Sequence, residues 1–289
     1  METNALGTSK KIVSRLGFGG APAGLTDYVS EYTPNDVEAR DEVIRAIDRA
    51  VELGITYFDT APGYGAGASE RIFGEALAGR EGLFVATKVS PNNFATMRQA
   101  LEESLERLKR SSVDLLQLHG TSFSGEQVAA ILKSGGVADQ LSELKNEGLI
   151  GSVGFTSEDN NAAVYALIES GRFDVMQICY NFIYQHPYEP SRPFGSILEA
   201  NKLGMGVVTM RAPTSGIVQR WIQQVNPKNT FNYTPALIQF PLANPLVNVA
   251  LVGMRTVAEV EENVVLANDL EGRVPLDWLH ERYVNRGEK

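Results

Sequence analysis

The chain has 289 residues, 43% of them hydrophobic and 21% charged, with a formal net charge of −9. An acidic chain without a basic block excludes a nucleic-acid footprint and adhesion to an anionic membrane surface. Cys179 is the sole cysteine and there are three histidines, far apart, which excludes an internal disulfide and argues against a Cys/His metal cluster.

Residues 1–11 are polar and lack the apolar stretch of a signal peptide, and no apolar run approaches the length of a bilayer span. A cytoplasmic protein is therefore expected, folded as one domain over residues 1–289. Nothing in the sequence sets an oligomeric state.

In chain order, residues 11–17 read as a short strand, and Phe18-Gly19-Gly20-Ala21-Pro22 as a turn whose glycines permit close backbone approach. Val43, Ile44, Ile47, Ala50, Val51 and Leu53 recur at helical spacing up to Gly54, a C-terminal cap, and strand 55–58 follows at once. Helix 69–77 and strand 83–87 come next. Phe94, Met97, Leu101, Leu105 and Leu108 then form the apolar stripe of a helix whose outer face pairs Glu103 with Arg107 and Glu106 with Arg110. Strand 113–118, helix 136–147, strand 150–155, helix 158–170 and strand 173–179 continue the pattern. Helix 196–202, strand 205–210, a helix opened by Thr234-Pro235, strand 247–252 and a helix from Thr256 complete it.

Eight strand–helix alternations with strands too apolar for a one-sided sheet imply a parallel sheet covered by helices. An open doubly wound sheet would show Gly-x-Gly-x-x-Gly after its first strand, and Gly17-Phe18-Gly19-Gly20 does not continue that way. The expected architecture is an α/β fold, a (β/α)8 TIM barrel with a short N-terminal strand or hairpin.

Titratable residues recur where strands stop: Asp59 after 55–58 with Tyr64 just beyond, Lys88 after 83–87, and His119 after 113–118. In a parallel barrel those positions share the catalytic rim. A tyrosine titrates near 10, so an adjacent ammonium is expected to lower that value, an imidazole to orient a carbonyl, and a carboxylate to hold the ammonium. Such a group protonates a carbonyl oxygen while a hydride arrives from elsewhere; no side chain supplies hydride, so a nicotinamide cofactor is implied. Plainer readings exist for each residue: Asp59 as a cap of the next helix, Lys88 as a solvated strand end, Tyr64 as a loop aromatic. A barrel lyase using Lys88 as a Schiff base is a further reading, disfavoured because Asp59 would keep the amine protonated.

Asp59, Tyr64, Lys88 and His119, in that order, resemble the tetrad of the aldo/keto reductases. Phe58-Asp59-Thr60-Ala61 with Tyr64-Gly65 and Ser69-Glu70 matches the family's first motif, and Asp114-Leu115-Leu116-Gln117-Leu118-His119 its histidine strand. Ile150 to Ser157 is similar to its Gly-Val-Ser-Asn strand. The resemblance implies that Thr156, Ser157 and Gln177 hold the nicotinamide carboxamide, with Gly20, Ala21, Met210, Arg211 and Gly253 on the cofactor wall. Arg255, Glu259, Glu262 and Asn263 follow its adenosine-end motif. The family usually stacks an aromatic on the nicotinamide where this chain has Met210, some members carry a substrate-facing tryptophan at Ala21, and Ser157 replaces an asparagine.

These cofactor residues also have structural readings: Thr156 or Ser157 as helix caps, Gln177 as a strand polar residue, Thr256 with Glu259 as a capping box, and Glu262 and Asn263 on a solvated face. Arg255 beside a helix N-terminus suits a phosphate. NADP is thus expected, with NAD as the alternative, because Glu259 near the 2′-phosphate would repel it. The implied activity is reversible interconversion of a small-molecule carbonyl (aldehyde, ketone or sugar) and an alcohol. The alternative is a slow NADP-sensing regulatory subunit on the same barrel. The loop Thr121 to Ser124 and the segment Tyr180 to Arg192 are expected to line the pocket.

Overall fold

The computed structural model describes residues 1–28, 30–92, 96–184 and 195–273. Phe94 of the expected helical stripe and residues 185–192 of the expected pocket segment lie outside them.

Two short strands, β1 (Thr3–Ala5) and β2 (Ile12–Ser14), pair antiparallel. Eight parallel strands follow: β3 (Leu16–Gly19), β4 (Tyr57–Asp59), β5 (Phe84–Val89), β6 (Val113–Leu118), β7 (Ile150–Ser157), β8 (Val175–Cys179), β9 (Gly206–Met210) and β10 (Val249–Gly253). They close in sequence order, with β10 returning to β3. The helices are α1 (Ala21–Gly24), α2 (Val37–Glu52), α3 (Ala68–Ala76), α4 (Met97–Leu108), α5 (Gly125–Leu132) and α6 (Val137–Asn146), then α7 (Ala162–Glu169), α8 (Gly195–Lys202), α9 (Ile217–Val225), α10 (Thr234–Ala243) and α11 (Val257–Asn268). This is the (β/α)8 TIM barrel with an N-terminal hairpin.

Strand alternation divides the core in two. Phe58, Val85, Leu116, Met176, Val207 and Ala250 point outward and pack with the helices. Tyr57, Phe84, Ala86, Leu115, Val175, Val208, Val249 and Leu251 fill the barrel, and Leu6 from the hairpin joins the same cluster. Two residues further along these strands, on the same inward face, stand Asp59, Lys88, Gln117, Gln177, Met210 and Gly253. The barrel interior therefore turns from apolar to polar within one strand repeat, which places the polar set at the C-terminal rim.

The first barrel strand corrects the sequence reading of 11–17 as one strand and 18–22 as a turn. The chain breaks at Arg15, and β3 runs on through Phe18 and Gly19, paired to both β10 and β4. Gly17 is a matter of space, since a Cβ there would come within 2.8 Å of Val249 Cγ1 and 3.0 Å of Tyr57 Cδ1. Helices α5 and α9 were not foreseen either. Among the described residues, no helix is long and apolar enough to cross a membrane, and no group of three or more His, Cys, Asp or Glu side chains is placed to hold a metal ion.

Candidate active site

Lys88 stands at the centre of the rim with 1% of its surface exposed. Its ammonium donates to Asp59 Oδ1 at 2.5 Å, to the Thr60 carbonyl at 2.9 Å and to the Tyr64 hydroxyl at 3.2 Å. Asp59, equally buried, also accepts from Gln117 Nε2 at 3.0 Å through its other oxygen. Two of the three plainer readings fail: α3 is capped at Gly67 and not by Asp59, and Lys88 is not a solvated strand end. Because the Tyr64 oxygen accepts from Lys88, its own O–H is free to point at a ligand.

Local structure sets these positions. The Thr60 hydroxyl donates to Ser69 Oγ at 2.8 Å, and Ser69 Oγ donates to the Gly20 carbonyl at 2.8 Å, tying the β4 exit to the start of α3 and to β3. The loop carrying Tyr64 presses on α1 at Gly65, which has φ +68° and lies so close that a Cβ would come 1.9 Å from the Gly24 oxygen. His119 is held by its backbone N–H, which donates to the Val89 carbonyl at 2.7 Å, and its ring meets Tyr64 edge-on with centroids 5.7 Å apart.

The electrostatics differ from the sequence expectation at one point. Burial raises the Tyr64 hydroxyl above its ordinary value, and the lowering by Lys88 does not overcome it. The phenol is therefore kept in its protonated, donating form. Burial opposes the charge on Lys88, but Asp59 and Tyr64 together hold its ammonium above the ordinary lysine value. Burial, with Lys88 second, pushes His119 down to about 4, so the imidazole is neutral at physiological pH.

A stability prediction follows from His119. Its folded value of about 4 lies below the unfolded 6.5, so the unfolded chain takes up the proton first as pH falls. The contribution of this group is fully present above the unfolded value and is lost as pH drops from 6.5 towards 4. His119→Asn, neutral throughout, should flatten that part of the curve. Urea midpoints of both proteins measured across the window check it.

Around the tetrad lies a cavity of about 450 Å³. Its wall includes all four tetrad residues and Gly20, Ala21, Thr156, Gln177, Met210, Arg211, Gly253, Glu259, Glu262 and Asn263. Ser157 and Arg255 are not on that wall. The Ser157 hydroxyl donates to the Asp159 carbonyl at 3.0 Å, and the Arg255 guanidinium donates to Ser30 Oγ at 2.5 Å. Thr156 lines the cavity with its hydroxyl engaged, donating to the Gly120 carbonyl at 2.7 Å. Neither residue caps α7; Asn161 does. Thr256 and Glu259 do form the capping box of α11. Of the expected loop 121–124 only Thr121 lines the cavity, since Phe123 is buried in the core and Ser124 caps α5.

The wall holds residues that the sequence reading missed. Arg211 donates to Glu158 Oε1 at 2.6 Å and to the Tyr28 hydroxyl, joining three loops over the cavity. Glu158 was simply the first residue of the expected helix 158–170, and Tyr28 carried no sequence mark at all. Gln117, buried behind the wall with its amide donating to Asp59, read as one residue of an apolar strand.

A nicotinamide fits this donor set. The Gln177 amide is buried, its oxygen has no hydrogen-bond partner among the described residues, and its nitrogen faces Met210 Sδ at 3.7 Å and the Asp59 carboxylate. An unpaired buried amide oxygen is costly, and a ligand carboxamide would complete it.

The closed barrel and the buried Asp–Lys–Tyr cluster at its rim agree with the resemblance seen in the sequence. The aldo/keto reductase family model matches residues 15–239, and the chain belongs to that family. It is 30% identical over 300 residues to L-galactose dehydrogenase of Arabidopsis thaliana, covering 94% of this chain and 89% of that protein. Among solved structures, it matches the holo form of aldo-keto reductase AKR11C1 from Bacillus halodurans with a TM-score of 0.70 at 24% identity, covering 93% of this chain and 91% of that one. It matches a Klebsiella pneumoniae aldo/keto reductase in complex with NADP and acetate with a TM-score of 0.71 at 20% identity, covering 92% and 89%. At these identities the structural likenesses establish the fold.

Proposed function

We propose that the chain, as a single domain over residues 1–289, reversibly reduces a small carbonyl compound to an alcohol with a nicotinamide dinucleotide, NADP(H) with NAD(H) as the alternative. A bound nicotinamide supplies the hydride. The chain's own groups do the rest. Gln177 holds the carboxamide, Tyr64 gives its proton to the carbonyl oxygen, and His119 as a neutral donor orients that oxygen. Lys88, kept charged by Asp59, faces the phenolate that Tyr64 becomes, and the barrel interior below excludes water.

One observation carries the reading. The Lys88 ammonium donates to the Tyr64 oxygen from a buried pair with Asp59, and Tyr64 lines the cavity, so its hydroxyl is available to donate to a ligand there. A helix cap or a structural ion pair has no need of that phenol.

A panel of aldehydes, ketones and sugars tested with NADPH and NADH, followed by loss of the dihydronicotinamide absorbance, checks the proposal. The L-galactose dehydrogenase relative is the reason to include hydroxylated aldehydes. Turnover with at least one carbonyl class is expected.

A further inference from the structure

Two carboxyl side chains are buried among the described residues, Asp59 and Glu70. The proton chemistry uses Asp59 alone. Glu70 lies in the first turn of α3, behind the cavity wall. Its Oε1 accepts from the Thr87 hydroxyl at 2.6 Å, and its Oε2 accepts from Arg107 Nε at 2.6 Å. Arg107, on α4, also donates to Ser104 Oγ at 3.1 Å and comes no nearer than 4.0 Å to Glu103, the partner its helical spacing suggests.

The ends of this link are the two groups that share the proton chemistry. Thr87 precedes Lys88 on β5, and strand alternation sends Lys88 into the barrel and Thr87 out to α3. On the helix side, the Ser69 N–H donates to the Tyr64 carbonyl at 3.2 Å and the Ala68 N–H to the Gly65 carbonyl at 3.0 Å. The loop carrying Tyr64 is thus fastened to the turn that holds Glu70. Stability gives weak reason for a carboxylate here, since replacing a buried ion pair by apolar residues is often neutral or stabilising. Apolar packing, however, is non-directional, whereas a short hydrogen bond fixes the distance and angle between its partners.

Resting on the function proposed above, we propose that Glu70 is a positioning residue for proton transfer: by tying Thr87 to the first turn of α3, it sets the spacing between the Tyr64 phenol and the Lys88 ammonium. Thr87 donates the bond that matters, and Arg107 holds the carboxylate in place to receive it.

Two double variants of the full chain separate the tie from the charges. Glu70→Gln with Arg107→Met removes both charges and keeps a side-chain oxygen able to accept from Thr87. Glu70→Leu with Arg107→Met removes the charges and the tie together. For each, steady-state carbonyl reduction, dinucleotide titration, the pH profile of alcohol oxidation and the urea midpoint are measured. The leucine pair is expected to lose about tenfold to 10²-fold in kcat, the effect of a small misplacement of reacting groups. KM and dinucleotide affinity should change little. Its oxidation limb should move upward, since a more distant Lys88 lowers the phenol less. Asp59, His119 and Tyr28, the other ionisable groups beside the phenol, are untouched in both variants. The glutamine pair should keep the wild-type kcat and limb, whereas a purely structural carboxylate would move only the urea midpoint. Thr87→Val, which leaves the Glu70–Arg107 pair intact, should repeat the loss in kcat and the shift of the limb, and it decides the question if the leucine pair does not fold. A wild-type kcat and limb in the folded leucine pair or in Thr87→Val, or equal losses in the two double variants, would overturn the assignment of Glu70 while leaving the function reading in place. Absence of turnover by the wild-type protein with every carbonyl would overturn the function reading itself, and this assignment with it.

Discussion

Tyr64→Phe is expected to lower carbonyl reduction by at least about 10²–10⁴-fold, the usual contribution of a positioned general acid. The phenylalanine ring can keep the edge-on contact with His119, so the fold and the dinucleotide affinity should change little. Only the hydroxyl that accepts from Lys88 is lost. The loss belongs in kcat, because the proton moves only in the transition state. Steady-state rates combined with a cofactor titration check the split, and near wild-type turnover would remove Tyr64 from the chemistry.

Lys88→Met should affect both activity and stability. It removes one partner of an ion pair whose side chains are each 1% exposed, and leaves the Asp59 carboxylate buried with Gln117 for company. Breaking a buried pair from one side costs about 3–5 kcal/mol, because the remaining charge is uncompensated. A marked fall in the urea midpoint is therefore expected. Lys88→Met with Asp59→Asn, which removes both charges, should recover much of that stability and none of the activity. In alcohol oxidation, where Tyr64 must accept a proton, removing Lys88 also removes the influence that lowers the phenol's value. The pH limb of oxidation in any residual activity should accordingly move upward. A double variant as inactive as the single one, but stable, would separate the electrostatic role of Lys88 from its structural one.

The barrel was legible because its strands are short, apolar and separated by helical periodicity, a pattern that burial on both faces imposes. The tetrad was legible for a related reason. Asp59 and Lys88 each stand two residues beyond an inward apolar residue, so the period of the strand itself aims them at the rim. The misreading of Phe18-Gly19-Gly20 shows the converse. Gly19 was taken as a turn residue, whereas it lies in β3 with the β10 backbone so near that a Cβ would come 3.2 Å from the Val252 oxygen. Helix α9 escaped notice because it buries none of its residues, so its apolar positions answer to no core face. Two electrostatic features were beyond reach for another reason. The direction of the Tyr64 shift depends on how deeply the phenol is buried against Lys88, and the direction of Arg255 depends on Ser30 and Tyr32, more than two hundred residues away in the chain. Burial depth and long-range partners are properties of the folded chain and not of a local pattern.

We propose that this cavity transfers a hydride and a proton, and does not merely bind a dinucleotide. A single-turnover experiment tests it most directly. The full chain is loaded with one equivalent of reduced dinucleotide and mixed with an excess of each aldehyde, ketone, sugar or quinone in turn. The predicted result is a single-exponential loss of the bound dihydronicotinamide absorbance with at least one carbonyl, slowed in Tyr64→Phe. A tight complex that stays reduced with every compound tried would contradict it, and would make the protein a dinucleotide sensor on the same barrel.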